Sequence, residues 1–283
     1  MNIQKGTQFM GMDSTYEESK IVVFGIPFDG TTSYRPGTRF GPQHVRAESE
    51  GIEMYSPYFD MDLEDYKIHD SGDLFFPLGR VEKVLEIIEE YTDSLMSHKK
   101  IPLMIGGEHL VTLPVVKSVF KKHKDLKIIH FDAHADVRDD YMGNELSHAT
   151  VIRRISDFIY PKNIYQFGIR SGERAEFQWS KSNTNFNPFS LEGVKKIKDE
   201  IGDCPVYLTI DLDVLDPSVF PGTGTPEPGG VSYNELLKAL ISVSELNIVG
   251  ADMVELSPHY DNSGLSTAVA CKTLRELSFA ILK

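Results

Sequence analysis

Three short stretches of the chain carry acidic and imidazole side chains at spacings that suit metal-assisted hydrolysis. Asp132-Ala133-His134-Ala135-Asp136 follows the apolar run Lys127–Phe131. Alternate residues of an extended segment share a face, so Asp132, His134 and Asp136 point together, with two small alanines between them. Asp211-Leu212-Asp213 follows Tyr207-Leu208-Thr209-Ile210 and repeats the pattern with two carboxylates at positions i and i+2. Gly106-Gly107-Glu108-His109 follows Ile101–Ile105. Its glycines permit a tight turn and close backbone approach, and His109 adds a further nitrogen. No Gly-Lys-Ser/Thr follows, so this is not a phosphate loop.

Bare carboxylates gathered at one point repel or take up protons, and a divalent cation removes that cost. Four Asp and two neutral His sum to −4, the charge that two divalent ions balance. The oxygen-rich donor set suits Mn²⁺ better than Zn²⁺. Paired ions of this kind typically sit about 3.5–4 Å apart and hold a hydroxide. Each stretch alone has a plainer reading. Asp132–Asp136 could be a solvated loop, Asp211–Asp213 a strand exit with Asp216-Pro217 as turn chemistry, and His109 an ordinary loop histidine. The joint pattern is more specific than any of its parts.

The elements that must position these residues follow from the hydrophobic pattern. Ile21–Ile26, Ile101–Ile105, Lys127–Phe131, Ile164–Ile169, Val206–Leu212 and Ile248–Val254 are each the length of a fully buried strand. Helical patterns lie between them. Val81, Val84, Leu85, Ile88, Tyr91 and Leu95 form one apolar stripe, and Ser232-Tyr233-Asn234-Glu235 reads as a capping box ahead of Leu237, Leu240 and Ile241. Leu265 to Leu282 is also helical in pattern. Such alternation predicts an α/β fold with a mostly parallel sheet covered on both faces, as one domain over residues 1–283. Ligands of such sheets bind beyond the carboxyl ends of the strands, where the three stretches fall.

Composition narrows the function classes. The hydrophobic share is 41% and the charged share 25%, which is ordinary for a globular chain. The net charge of −13 argues against nucleic acid as a main partner and suits cations or a cationic small molecule, although solubility alone accounts for it too. Cys204 and Cys271 cannot make a disulfide framework, so a reducing cytoplasm is expected. The first twenty residues lack an apolar core of the signal-peptide kind, and no run approaches the ~20 apolar residues of a membrane span.

With these residues in view, the chain resembles the ureohydrolase (arginase–agmatinase) family, nearest its bacterial agmatinase branch. Matching segments are Gly106–His109, Phe131–Asp136, Ser147-His148-Ala149-Thr150, Ile210–Pro217, Pro226–Gly230 and Asp252-Met253-Val254-Glu255-Leu256-Ser257-Pro258, together with Phe24–Asp29 and Phe40–Pro42. The resemblance implies a three-layer α/β/α fold and two Mn²⁺ per chain. One ion would take His109, Asp132, Asp136 and Asp211, the other Asp132, His134, Asp211 and Asp213. Asp132 and Asp211 would bridge. It also implies a guanidinium-holding carboxylate at Glu255, a proton-shuttling histidine at His148, and a homo-oligomer, a trimer or a hexamer. Asp136 could relay the nucleophile's proton. Without the metal constellation, Glu255 reads as a helix-start or interface carboxylate, and His148 as a residue opening a helix after Ser147.

The substrate follows from departures within the family. Arginases carry an Asn where this chain has Arg138, and a Ser-Gly-Asn-x-His stretch where it has Ser147-His148. Agmatine, which lacks the carboxylate of arginine, therefore fits better, and the expected products are putrescine and urea. An inward Arg138 would prefer a carboxylate, as in 4-guanidinobutanoate; paired with Asp139 or Asp140 it would face solvent, the reading preferred here. The resemblance places Glu173 near where the family contacts the substrate's amino end, so Glu173 is expected to attract the distal ammonium of agmatine. A guanidino-acid hydrolase or formimidoylglutamase is the alternative on the same centre. A Zn²⁺ deacetylase would need only one ion, and a non-catalytic oligomeric binding protein would be expected to have lost ligands. His44, His69, His98, His123, His130 and His259 read as ordinary, Trp179 as packing or interface, and Arg35–Arg39 as a structured turn near the site or a subunit contact.

Overall fold

The computed structural model describes residues 3–4 and 6–283, so part of the N-terminal stretch read for a leader lies outside the described residues. The strands are β1 (Ile3–Gln4), β2 (Ile21–Gly25), β3 (Tyr55–Ser56), β4 (Met61–Asp62), β5 (Ile68–Leu74), β6 (Ile101–Ile105), β7 (Lys127–Phe131), β8 (Ile164–Phe167), β9 (Asn185–Asn187), β10 (Pro205–Asp211) and β11 (Asn247–Val254). Nine of them form one sheet in the order β1-β5-β2-β6-β11-β10-β7-β8-β9. Every pairing in it is parallel except β1 with β5. β3 and β4 make a separate small hairpin.

The helices are α1 (Gly41–Ala47), α2 (Val81–Ser97), α3 (Thr112–Lys122), α4 (Val151–Ser156), α5 (Arg174–Asn183), α6 (Ile197–Ile201), α7 (Tyr233–Val243) and α8 (Leu265–Leu282). Strand side chains alternate between two separate cores. Ile21, Val23, Leu103, Ile129, Leu208 and Ile210 pack with residues of α6, α7 and α8. Val22, Phe24, Met104, Ile128 and Tyr207 pack on the opposite face with residues of α2, α3 and α4. This two-sided burial is why the strands read as continuous apolar runs, and it makes the three-layer α/β/α arrangement.

All six apolar runs are strands, and the capping box at Ser232 and the helix over Leu265–Leu282 are present. β5 was not foreseen. Its sequence, Ile-His-Asp-Ser-Gly-Asp-Leu, breaks the apolar pattern, yet Asp70 is buried there against the Arg46 guanidinium of α1. A partner distant in sequence turned a polar segment into core. Among the described residues no helix is long and apolar enough to cross a membrane.

Candidate active site

The ends of β6, β7 and β10 bring the three chemical stretches together. In the β7–β10 register Phe131 stands opposite Ile210, so Asp132 and Asp211 are the next residues on each strand. His109 opens a short 3₁₀ turn after β6. Its Nδ1 lies 3.1 Å from Asp132 Oδ2, 3.2 Å from Asp136 Oδ2 and 3.4 Å from Asp211 Oδ2. On the other side of Asp132, His134 Nδ1 is 3.0 Å from Asp213 Oδ2 and 3.6 Å from Asp132 Oδ1. All six predicted side chains therefore meet in two overlapping groups that share Asp132.

The spacing is that of ligands around an ion. Two donors about 2.1 Å from a common cation lie about 3.0 Å apart at a right angle and about 3.4 Å apart at a tetrahedral angle. His109 Nδ1 is buried without a hydrogen-bond partner while three carboxylate oxygens surround it, an arrangement a shared cation completes. Electrostatics agree. Burial, with Asp213 and Asp132 close by, holds the Asp211 carboxyl well above the usual range, and burial with Asp132 pushes Asp136 up to about 7. Burial opposes charge on His109 and His134, but the surrounding carboxylates prevail and raise both well above an ordinary histidine. No Lys or Arg stands among these acids; the two imidazoles are the nearest groups able to carry positive charge, and the excess of carboxylates is left for a cation to balance.

A second layer aims the first. His109 Nε2 is 2.9 Å from Thr209 Oγ1, which donates to Asp252 Oδ1 at 2.6 Å, and the Tyr207 hydroxyl donates to the other oxygen of Asp252. With the proton held on Nε2, Nδ1 is left free for a ligand. The turn before His109 needs its glycine. A Cβ on Gly107 would stand 2.0 Å from the Phe28 carbonyl oxygen. Asp136 and Glu255 both adopt positive φ, 54° and 68°, a strain of about 1–3 kcal/mol each that the surrounding packing maintains.

The expectation for His130 is corrected here. It is fully buried, and its Nε2 lies 2.7 Å from Asp132 Oδ2. The sequence contained a signal for it: His130 precedes Asp132, and Thr209 precedes Asp211, by the two-residue step that keeps a strand face in common. Asp216 behaves as the turn residue expected, accepting from the N–H groups of Ser218, Gly229 and Gly230.

A cavity of about 370 Å³ opens over the cluster, lined by His109, Asp211 and Glu255 at its base and by His148, Arg138 and Glu173 among its walls. Glu255 is buried at the end of β11, and its Oε1 accepts the His109 N–H at 2.9 Å. Burial, reinforced by Glu108 and Asp213, raises its carboxyl well above the usual range. The neighbouring Gly224 leaves room beside Oε2. It is therefore not a helix-start carboxylate.

His148 opens a 3₁₀ turn after Ser147 and also faces the cavity, so both readings of it hold. Its Nδ1 is 3.0 Å from the Thr31 carbonyl oxygen, and its N–H donates to Thr31 Oγ1 at 3.1 Å. Glu108, which received no role from sequence, clamps that segment by accepting the Thr31 N–H and hydroxyl at 2.7 and 2.5 Å. Burial pushes His148 down to about 4, so the ring is neutral near pH 7. A neutral ring that donates Nδ1–H to Thr31 has an unprotonated Nε2 on the cavity side, where the Ser33 hydroxyl stands 3.4 Å from it.

Arg138 corrects a second expectation. It pairs with neither Asp139 nor Asp140 but with Glu176, at 3.1 Å, and Glu173, at 3.4 Å, and it stacks over the Tyr141 ring. Asp139 pairs with Arg153 instead. Glu173 caps α5, is largely exposed, and stands on the cavity wall. Gly37 and Arg39 of the Arg35–Arg39 turn are tied to Asp29, and the Arg35 carbonyl oxygen lies 3.1 Å from where a Gly224 Cβ would be, beside Glu255.

Known proteins resemble the chain over nearly its whole length. The arginase family profile matches residues 19–280. An agmatinase of Bacillus cereus is 47% identical over 98% of this chain and 97% of its own. A guanidinobutyrase of Pseudomonas aeruginosa is 34% identical, over 89% of this chain and 83% of its own. A solved chain from Clostridium difficile superposes with a TM-score of 0.93 at 51% identity, covering 94% of this chain and 98% of the other.

Proposed function

The chain belongs to the arginase family, and on that premise we propose that it is an agmatinase, an amidinohydrolase that converts agmatine and water to putrescine and urea. The observation that carries this reading is the convergence of His109, Asp132, His134, Asp136, Asp211 and Asp213 beneath a cavity with the buried, uncompensated Glu255 at its base. Two Mn²⁺ are the ions proposed, one held by His109, Asp132, Asp136 and Asp211, the other by Asp132, His134, Asp211 and Asp213. When bound, such ions make water acidic enough to attack a weakly electrophilic guanidinium carbon near neutral pH.

The remaining steps belong to side chains. Glu255 holds two N–H groups of the guanidinium and so fixes where its carbon lies. The substrate's charge also favours ionisation of a carboxyl that burial pushes up. The C–N bond breaks only when the amine leaves with a proton. His148, neutral and turned by Thr31 so that Nε2 faces the cavity, is placed to exchange it with solvent. Asp136 would take the proton released from water and pass it to the leaving amine, with His148 exchanging protons between the cavity and solvent.

The wall of the cavity favours agmatine over a guanidino acid. Arg138 carries +1, and Glu173 and Glu176 carry −2 together, so the group sums to −1 and suits a distal ammonium. Glu173, the exposed member, is proposed to attract it. A urea-release assay on the Mn²⁺-loaded protein across agmatine, arginine, 4-guanidinobutanoate and formimidoylglutamate tests the reading. Agmatine should be turned over fastest, and a preference for 4-guanidinobutanoate would replace this function with the alternative. A cytoplasmic location, supported by two free cysteines, and a homo-oligomer readable by light scattering complete the proposal.

A further inference from the structure

Gln166 on β8, His130 on β7 and Thr209 on β10 stand side by side in register, all fully buried on the sheet face that carries α2, α3 and α4. We propose that His130 is a positioning residue for the metal centre, presenting an N–H to the shared carboxylate Asp132, and that Gln166 selects the tautomer that makes this possible. The inference rests on the metal reading above but concerns residues outside the ligand set.

The hydrogen bonds settle the proton by elimination. Gln166 Nε2 lies 2.9 Å from the Ala135 carbonyl oxygen, and Gln166 Oε1 lies 3.0 Å from the Thr184 hydroxyl. Only the amide nitrogen can donate to a carbonyl, so the Gln166 orientation is determined. The same nitrogen stands 3.3 Å from His130 Nδ1, which must therefore accept. The ring proton is on Nε2 and is donated to Asp132 Oδ2 at 2.7 Å. Both ring nitrogens are thus engaged, so His130 serves the cluster without being a ligand, although one of its nitrogens lies within 4.8 Å of donor atoms of His109, Asp132 and Asp136.

The consequence falls on Asp132. Its Oδ2 takes the His130 N–H while facing His109 Nδ1 at 3.1 Å, and its Oδ1 takes the His134 backbone N–H while facing His134 Nδ1 at 3.6 Å. One donor on each oxygen stops the carboxylate from rotating, so each group of ligands keeps one oxygen. Without His130 the side nearer His109 loses its anchor.

The test is a Mn²⁺ titration of metal-free protein by calorimetry, which requires no turnover. Wild type should take two ions. His130→Leu should still take two at saturation but bind about 10–100-fold more weakly, the usual cost of losing such a partner. His130→Gln, whose amide N–H reaches towards the same oxygen, should recover most of that loss, with melting of the two metal-free variants unchanged relative to each other. Histidine ¹⁵N shifts of the metal-free wild type should show Nε2 protonated and Nδ1 bare. Unaltered affinity in His130→Leu, saturation at one ion, failure of His130→Gln to recover, or an Nδ1–H tautomer would each overturn the inference. If His130→Leu does not fold, Gln166→Met removes the lock and keeps the ring, and unchanged shifts and affinity there would overturn it equally. A wild type that binds no Mn²⁺ would remove the metal reading itself, whereas two ions with indifferent variants would remove only the role of His130.

Discussion

Among the described residues, two of the places that bury clustered carboxylates handle the charge in opposite ways. At the first, Arg46 of α1 reaches Asp70 and Asp73 of β5. Nε and Nη2 of the guanidinium meet the two Asp70 oxygens at 2.7 and 2.9 Å, and the N–H groups of Phe9 and Gly72 complete that carboxylate. Burial opposes charge on Arg46, but Asp70 and Asp73 outweigh it and hold the guanidinium above its ordinary value. The chain supplies its own cation there, and every oxygen of Asp70 is satisfied. At the second place, beyond the ends of β6, β7 and β10, the acids of the candidate metal centre have only histidines among them, and Asp136 and Asp211 are driven towards protonation. A buried acid cluster with an internal cation is structural. One without it is a site for a cation from outside.

The contrast can be broken by three substitutions. The largest effect expected on activity is that of Asp211→Asn. Urea release should fall by more than about 100-fold, beyond the usual ceiling for an indirect partner, because the proposed bridging ligand is lost. The same change should leave the melting temperature of metal-free protein level or higher, since it removes one of several repelling acids. A metal-free protein that melts much lower would mean the cluster is structural after all.

Arg46→Leu should do the reverse. It strands Asp70 in the core and should cost about 3–5 kcal/mol of stability by denaturant unfolding, with or without metal. A loss near zero would erase the distinction between the two clusters. The smallest effect concerns the rim. Glu173 is largely solvent-exposed, so Glu173→Gln should raise KM for agmatine only roughly two- to five-fold, as exposed pairs do, and leave kcat alone. An unchanged KM would withdraw Glu173 from substrate attraction.

Much of the site was legible because the fold is simple where it matters. A strand buried on both faces reads as an apolar run, its end is where polar residues begin, and period-two spacing says which of them point together. Asp132, His134 and Asp211 follow from that rule, whereas Asp213, in the 3₁₀ turn after β10, and Asp136, at positive φ, reach the cluster by turns rather than by strand alternation. What was not legible depended on neighbours in space. His130 looked ordinary because Gln166, which fixes its proton, is 36 residues away. Glu108 gained its role from Thr31, 77 residues away. Arg138 chose Glu176 over adjacent acids because the first turn of α5 delivers that carboxylate to it.

The sequence by itself determined the strand–helix alternation, the identity of the acidic and imidazole donors, and the charge deficit that calls for cations. These are local properties, set by side-chain chemistry and backbone periodicity. Only the tertiary structure decided which imidazole nitrogen is free, which carboxyl groups are pushed towards protonation, which guanidinium is neutralised, and that β5 is core rather than loop. Those outcomes depend on distances of about 3 Å between residues far apart in the chain, and hydrogen bonds and buried charges have no meaning until such distances exist.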